Sequence, residues 1–161
     1  MYSYTYDEET GGILLNSTPT VFSKEPRPVY APELDMLGFD KYWKYDKQSD
    51  IPYMWAESVQ YWYRGKQVAK LRGGNLYEAP EIIIPEDSEN KPVQPEPDGG
   101  VLRPIDIDGM VKKNLDMLDI IENTTVKKIV AIYEKYKSKL DIFHVAFSGG
   151  KDSAVLLDLV K

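Results

Sequence analysis

Apolar residues recur every three or four positions from residue 108 to about residue 139, which is the spacing of one face of an α-helix. The lysines of this stretch fall on the opposite side, where we expect them to meet solvent. The side chains of Asn123, Thr124 and Thr125 compete for backbone hydrogen bonds, so they predict a break into two helices. The apolar positions are Val111, Leu115, Leu118, Val126, Ile129, Tyr133, Tyr136 and Leu140.

A different pattern begins after Asp141, where residues 142–147 read IFHVAF. This run is short, almost wholly apolar and partly β-branched, which is typical of a strand covered on both faces. His144 lies inside it, and we expect this histidine to be packed in a core. The polar residues SGGKDS then precede AVLLDLV, which predicts the start of a helix.

The first part of the chain has the shorter period of strands separated by turns. Val59, Tyr61 and Tyr63 alternate with polar neighbours, and Gly65 then permits a tight turn. Further strands are predicted near residues 67–71 and 82–84. These patterns indicate a small β-rich module.

Upstream of those strands, PELDMLGFDKYW predicts a short helix. Pro32 suits its first turn, and Gly38 suits its end. A second short motif, Asp106-Ile107-Asp108-Gly109, faintly suggests a calcium loop. The spacing does not fit an EF-hand, and we expect a helix N-cap at this point.

Three regions follow from these patterns, and the fold class is α+β overall. Residues 1–84 form the aromatic-rich, β-rich accessory module. Residues 85–104 hold five prolines and several acids, so we expect an extended linker that does not order itself. Residues 105–161 contain the predicted helix, strand, loop and helix.

Composition narrows the function classes. The net charge of -6 disfavours non-specific binding of nucleic acid, because neutralising phosphates needs an excess of basic residues. The chain has no cysteine and one histidine, which excludes thiolate sites and histidine metal clusters within these residues. It lacks a signal-peptide pattern and an apolar run of about 18 residues, so we expect a soluble, cytoplasmic protein without a membrane partner.

A cluster of aromatic residues within positions 42–63 has two interpretations. One is a stacking platform for single-stranded nucleic acid or a nucleobase, with basic residues nearby. The favoured one is that a small module builds its core from large aromatic side chains. The cluster consists of Tyr42, Trp43, Tyr45, Tyr53, Trp55, Tyr61, Trp62 and Tyr63.

The segment SGGKDS has the chemistry of an anion site between a strand and a helix. Two glycines let the backbone turn sharply and approach a ligand, with the amides pointing inward. The helix that follows adds its unpaired amides and the positive end of its dipole. Ser148 and Ser153 can donate hydroxyl hydrogen bonds to phosphate, and Lys151 supplies a positive charge. Ser153 or Asp152 is also suited to cap the helix.

The pattern is not a Walker A loop, since Asp152 follows Gly150-Lys151 where that loop has serine or threonine. SGGKDS after an apolar strand resembles the PP-loop motif of the ATP pyrophosphatase superfamily. KYKSKLDIFHVAFSGGKDSAVLLDLV is most similar to the phosphoadenosine phosphosulfate reductase branch, and the resemblance covers roughly residues 108–161. It implies a doubly wound α/β nucleotide-binding domain. It also implies that Ser148, Gly149, Gly150, Lys151, Asp152 and Ser153 surround the phosphates of ATP or phosphoadenosine phosphosulfate, together with Mg²⁺.

The resemblance leaves two chemistries open. Some family members reduce an adenylylated sulfate, and others cleave ATP between the α and β phosphates and adenylate a substrate. A third alternative is a binding module in which residues 1–84 recognise a partner protein or single-stranded nucleic acid. A doubly wound sheet needs several parallel strands, and this sequence supplies one. We therefore expect the 161 residues to be the N-terminal piece of a longer enzyme and to be inactive alone.

Overall fold

The computed structural model describes residues 2–19, 25–75, 77–87 and 91–160. Within these residues the fold is mixed α+β, with two small antiparallel sheets and three α-helices. The chain divides into two compact units, residues 1–113 (unit 1) and residues 114–161 (unit 2), which we describe separately. Residues 88–90, in the predicted linker, lie outside the described residues.

Unit 1 contains both sheets. Strands β1 (Tyr2–Tyr6) and β2 (Ile13–Pro19) form an antiparallel hairpin. The second sheet has five strands in sequential order, each antiparallel to the next. They are β3 (Arg27–Val29), β4 (Met54–Glu57), β5 (Gln60–Tyr63), β6 (Lys66–Arg72) and β7 (Glu81–Ile83). Such an order joins neighbouring strands mostly by short turns.

Helix α1 (Ala31–Leu37) follows β3 and confirms the short helix predicted around Pro32. It ends at Gly38, whose φ of 81° lies in the left-handed region that glycine adopts without a Cβ clash. The Gly38 amide donates to the carbonyl oxygen of Asp35 at 3.0 Å, which satisfies one orphan group of the helix end. A 3₁₀ turn, Phe39–Lys41, then carries Phe39 into the core.

The predicted strands near residues 60, 67 and 82 are confirmed as β5, β6 and β7. Tyr61 and Tyr63 are each 1% exposed, as their alternation predicted, whereas Val59 lies in the preceding turn and is 43% exposed. A register shift opposite Tyr61 and Trp62 places an extra residue in β6. This bulge lets consecutive residues Val68 and Ala69 both face the interior.

One face of the five-stranded sheet forms the main core with α1 and the 3₁₀ turn. Phe39 is fully buried, stacks on Trp43 at 5.3 Å between ring centroids, and contacts the ring of Tyr61 at 5.2 Å. Six of the eight clustered aromatic residues are buried, which confirms the core interpretation for them. The six are Trp43, Tyr45, Tyr53, Trp55, Tyr61 and Tyr63.

The other face of the sheet is covered by the β1–β2 hairpin. The ring of Tyr6 stacks on Trp62 at 5.2 Å, and the indole Nε1 of Trp55 donates to the carbonyl oxygen of Gly11 at 2.9 Å. Both Tyr4 and Tyr6 donate their hydroxyl hydrogen bonds to Oε1 of Glu57 at 2.6 Å. Burial and this carboxylate raise the pKa of both tyrosines, so both hydroxyls stay protonated.

Asp7 joins the hairpin to the first turns of α2 (Ile107–Tyr136). Its Oδ2 accepts hydrogen bonds from the Thr10 hydroxyl and from Nζ of Lys113, the latter at 2.8 Å. Burial alone would raise the pKa of Asp7, but these hydrogen bonds outweigh it and lower the pKa to about 2. The Asp106 amide also donates to the carbonyl oxygen of Thr10 at 2.9 Å.

The start of α2 confirms the predicted cap at Asp106, whose Oδ1 accepts the Gly109 amide at 2.9 Å. The predicted break at residues 123–125 is wrong, because α2 continues to Tyr136. The Asn123 amide group donates to the carbonyl oxygen of Asp119, and the Thr125 hydroxyl donates to that of Ile121, each at 2.8 Å. These side chains bond back to the preceding turn and so do not compete with the helix.

The predicted linker, residues 85–104, supplies buried side chains to unit 1. Leu102 is 3% exposed and belongs to the main core. Glu96 is 9% exposed and accepts hydrogen bonds from the Tyr63 hydroxyl and from Nε of Arg103. Composition predicted no buried groups here, because it does not reveal the sheet on which the segment packs.

Unit 2 consists of the rest of α2, a connecting segment and α3 (Lys151–Leu159). The strand predicted at residues 142–147 is wrong for this structure, since no strand is formed there. A strand needs a neighbour for its backbone hydrogen bonds, and the described part of unit 2 offers none. Consequently a doubly wound sheet is not observed among the described residues, and Ile142, Phe143 and Phe147 are 80%, 41% and 59% exposed.

Candidate functional site

The loop between residue 147 and α3 turns at two glycines. Gly149 has a φ of 80°, and apart from its two chain neighbours no described residue has an atom within 4 Å of the position that a Cβ would occupy. Gly150 is extended, with φ -83° and ψ 162°, and is the N-cap of α3. Its carbonyl oxygen accepts the first helical hydrogen bond, from the Ala154 amide at 3.1 Å. Because the first amides of a helix have no intrahelical partner, this end offers donors to an anion.

Two serine hydroxyls meet at the same end of α3. The Ser148 and Ser153 Oγ atoms are 3.1 Å apart, and Ser153 Oγ also accepts the Ser148 amide at 3.2 Å. The Ser153 hydroxyl donates to the carbonyl oxygen of Gly150 at 2.9 Å, while Ser148 Oγ accepts the Gly150 amide at 3.4 Å. The structure thus brings together both hydroxyls that the sequence nominated, in a loop that is largely exposed.

Lys151 and Asp152 lie in the first turn of α3 with exposed side chains. The expected capping role of Ser153 or Asp152 is not observed, because Gly150 occupies the N-cap and makes no side-chain bond. The described residues contain no group of three or more His, Asp or Glu side chains that could hold a metal ion by themselves. A single carboxylate, Asp152, fits the usual binding of Mg²⁺ through one or two carboxylates and substrate phosphates.

Two apolar grooves lie elsewhere in unit 2. One, of about 570 Å³, is lined by residues of α2, by the end of α3 and by residues 143–145. The other, of about 630 Å³, lies between α2 and α3 and includes Thr125 and Ala154. His144 lines the first groove and is exposed, so its expected place in a packed core is not observed. The run that carries it has no covering layer in the described residues.

Comparison with known proteins does not assign this chain: no family model, curated protein or solved structure matches it. Among the described residues, no helix combines the length and apolar character that crossing a membrane requires.

Proposed function

We propose that the chain binds the phosphates of an adenine nucleotide at residues 148–153, and that its chemistry is that of a PP-loop enzyme acting on a sulfonucleotide. The observation that carries the proposal is the loop geometry: a left-handed Gly149, an N-capping Gly150 and two hydroxyls 3.1 Å apart at a helix N-terminus. Amides and hydroxyls are donors that suit phosphate oxygens.

The chemical role of each group follows from its type. The loop amides and the α3 dipole hold the phosphate oxygens, and the Lys151 ammonium neutralises their charge. Ser148 and Ser153 now bond to each other and to the loop backbone, so each exchanges those bonds for bonds to the ligand. Asp152 is the carboxylate that would help to hold a Mg²⁺ ion bound with the nucleotide, and that ion would lower the charge on the phosphates.

Reduction and adenylation are both compatible with a phosphate site at residues 148–153. The 161 residues contain no cysteine, so a reduction that uses a cysteine thiol draws that thiol from outside them. We propose sulfonucleotide chemistry as the leading reaction and ATP cleavage to AMP and pyrophosphate as the alternative. Release of sulfite would indicate the sulfonucleotide reaction, and release of pyrophosphate would indicate ATP cleavage.

Calorimetric titration of the chain with ATP, and separately with phosphoadenosine phosphosulfate, tests the proposal in the presence of Mg²⁺. Lys151→Gln is expected to weaken binding about tenfold or more, because a charge-assisted hydrogen bond contributes about 1.5–3 kcal/mol. Gly149→Val is expected to abolish binding, since a β-branched residue does not adopt a φ near 80°. Lys127→Gln is the matched control, because it removes the same charge from the exposed side of α2.

The binding assay is paired with a check that α3 is formed, by the Cα chemical shifts of residues 151–159. A formed helix without affinity for either nucleotide would refute the proposal. Equal weakening of binding by Lys151→Gln and Lys127→Gln would also refute the proposal, because the loss of affinity would then come from the net charge of the chain and not from a contact of Lys151.

A further inference from the structure

Unit 1 contains a small cavity that the nucleotide proposal does not use. It has a volume of about 110 Å³ and lies where the segment around Glu96 packs on the β5–β6 turn. The sequence patterns did not bring its charged residues together, because they come from three separate parts of the chain. Three cations and two carboxylates line it, in a chain whose net charge is -6. The cations are Arg64, Lys66 and Arg103, and the carboxylates are Glu8 and Glu96.

Among the described residues, Arg64 is the one of these three cations that forms no salt bridge. It lies in the two-residue turn between β5 and β6 with a φ of 44°, and its Nη1 donates to the carbonyl oxygens of Glu8 and Glu9. These acceptors are uncharged, and among the described residues no carboxylate lies within salt-bridge distance of Arg64. Its Nε is buried and, within the same residues, lacks a hydrogen-bond partner. A partly buried guanidinium that no carboxylate contacts favours the approach of an anion.

Among the described residues, the carboxylate of Glu96 forms no hydrogen bond with Arg64, although the positive charge of Arg64 helps to lower its pKa. It already accepts hydrogen bonds from the Tyr63 hydroxyl and from Nε of Arg103, at 2.9 Å for the latter. Burial would raise the pKa of Glu96, but these donors outweigh burial and lower it. The Arg103 side chain is 61% exposed, so its guanidinium is accessible to a ligand.

Lys66 is also available to a ligand. Its Nζ is 4.0 Å from Oε1 of Glu8, and the two side chains are 72% and 80% exposed. An exposed ion pair of this kind contributes little to stability, so Lys66 can readily exchange Glu8 for a bound anion. The opposite wall contains Pro95 and Pro97, whose fixed φ angles restrict the backbone on that side.

We propose that this cavity binds a compact oxyanion, a phosphate or carboxylate group, between Arg64, Lys66 and Arg103. A volume of 110 Å³ equals that of about four water molecules, which admits one such group and excludes a nucleoside. The planar guanidinium fork suits both oxyanions, and the lysine adds a mobile charge. The site is therefore independent of the loop at residues 148–153.

Side-chain Nε–Hε signals of ¹⁵N-labelled arginine test the proposal. The chain carrying Gly149→Val and Gly150→Val, which removes the proposed nucleotide site, is titrated with sodium phosphate and separately with sodium acetate. Chloride keeps the ionic strength constant, so that screening does not change. We expect saturable shifts of the Arg64 and Arg103 signals in at least one titration, and that titration identifies the preferred oxyanion. Arg72, which pairs with Glu81 at 2.7 Å on the same sheet, is expected not to shift.

Two variants test the separate contributions of Lys66 and Arg64. Lys66→Gln changes an exposed side chain and is expected to weaken binding about threefold. Arg64→Asn removes the guanidinium with a residue that tolerates a positive φ, and is expected to abolish binding. Tryptophan fluorescence verifies that both variants stay folded. Shifts that fail to saturate, that extend equally to Arg72, or that persist in folded Arg64→Asn would overturn the proposal.

Discussion

The two units bury their apolar residues very differently. In unit 1 the largest side chains of the sheet and of α1 are enclosed, and Phe39, Leu34 and Met54 have no exposed surface. In unit 2 the helices form, yet the only described residue that is buried is Asn114. Val155, Leu156 and Phe147 are between 41% and 59% exposed. The difference shows that a helix and a core have different requirements. A helix forms its backbone hydrogen bonds internally, whereas the burial of apolar side chains requires a second layer of structure packed on them.

Hydrogen exchange gives the largest contrast between the units. We expect the amides of Tyr61 and Tyr63 in β5 to exchange at least about a thousandfold more slowly than an unprotected chain, because opening them requires global unfolding. Residues 142–147 have no strand partner among the described residues, so their amides are expected to exchange within about tenfold of the unprotected rate. Amide exchange followed by mass spectrometry checks both values. Comparable protection in the two segments would remove the contrast.

Truncating one apolar side chain in each unit sharpens the comparison. Phe39→Ala is expected to lower the free energy of unfolding by about 3–5 kcal/mol, because it leaves a cavity beside Trp43 and Tyr61. Leu156→Ala is expected to cost less than about 1 kcal/mol, since that side chain is already 41% exposed. Urea unfolding measures both, with tryptophan fluorescence for unit 1, which holds all three tryptophans, and far-UV circular dichroism for unit 2. An equal cost at the two sites would argue against the difference in packing.

Acid unfolding tests the polar contacts of unit 1. The pKa of Asp7 is about 2 in the folded chain, against an ordinary value of 3.8, so ionised Asp7 stabilises the fold by about 2 kcal/mol. Because the folded pKa is the lower one, this contribution is complete well above pH 4 and is lost as the pH falls toward 2. Asp7→Asn is therefore expected to destabilise unit 1 at pH 6 and to approach the wild-type stability near pH 2.

Asp50→Asn, at an exposed carboxylate, is the control for the Asp7 experiment. Its effect on the free energy of unfolding is expected to stay below about 0.5 kcal/mol at every pH. A gap between Asp7→Asn and wild type that stays constant from pH 6 to pH 2 would contradict the assigned pKa.

The smallest expected effect concerns one backbone conformation in unit 1. Gly38→Ala is expected to cost about 1 kcal/mol, because φ is 81° there while the new Cβ would meet only the flexible end of Lys41 at 3.5 Å. Gly38→Asn should cost less, since asparagine enters the left-handed region more readily. Thermal unfolding compares the two variants. An alanine variant as stable as wild type would mean that α1 ends without this conformation.

Local signals made much of unit 1 predictable from the sequence. Gly38 marked the end of α1, Asp106 marked the start of α2, and the alternation of Tyr61 and Tyr63 identified β5. The β1–β2 hairpin was missed, although YSYTY followed by Gly11 and Gly12 is an alternating run before a turn. Its docking depends on contacts such as Tyr6 with Trp62, which lie far apart in the sequence.

Nonlocal requirements explain the errors in unit 2. Residues 142–147 have the composition of a buried strand, but composition does not provide the neighbour that a strand needs. The loop at residues 148–153 depends on adjacent residues alone, and the structure forms its turn, its N-cap and its hydroxyl contact. Nucleotide binding there stays a prediction, since it concerns a ligand and not the fold.

The contact between Asp7 and Lys113 has one more consequence. It joins residues near the two ends of unit 1, which are 106 positions apart in the chain. A domain whose ends meet tolerates circular permutation and can be inserted into a surface loop of a host protein without forcing that loop apart. We therefore expect a circularly permuted unit 1, opened at a surface turn, to keep the same order of strands in its sheets.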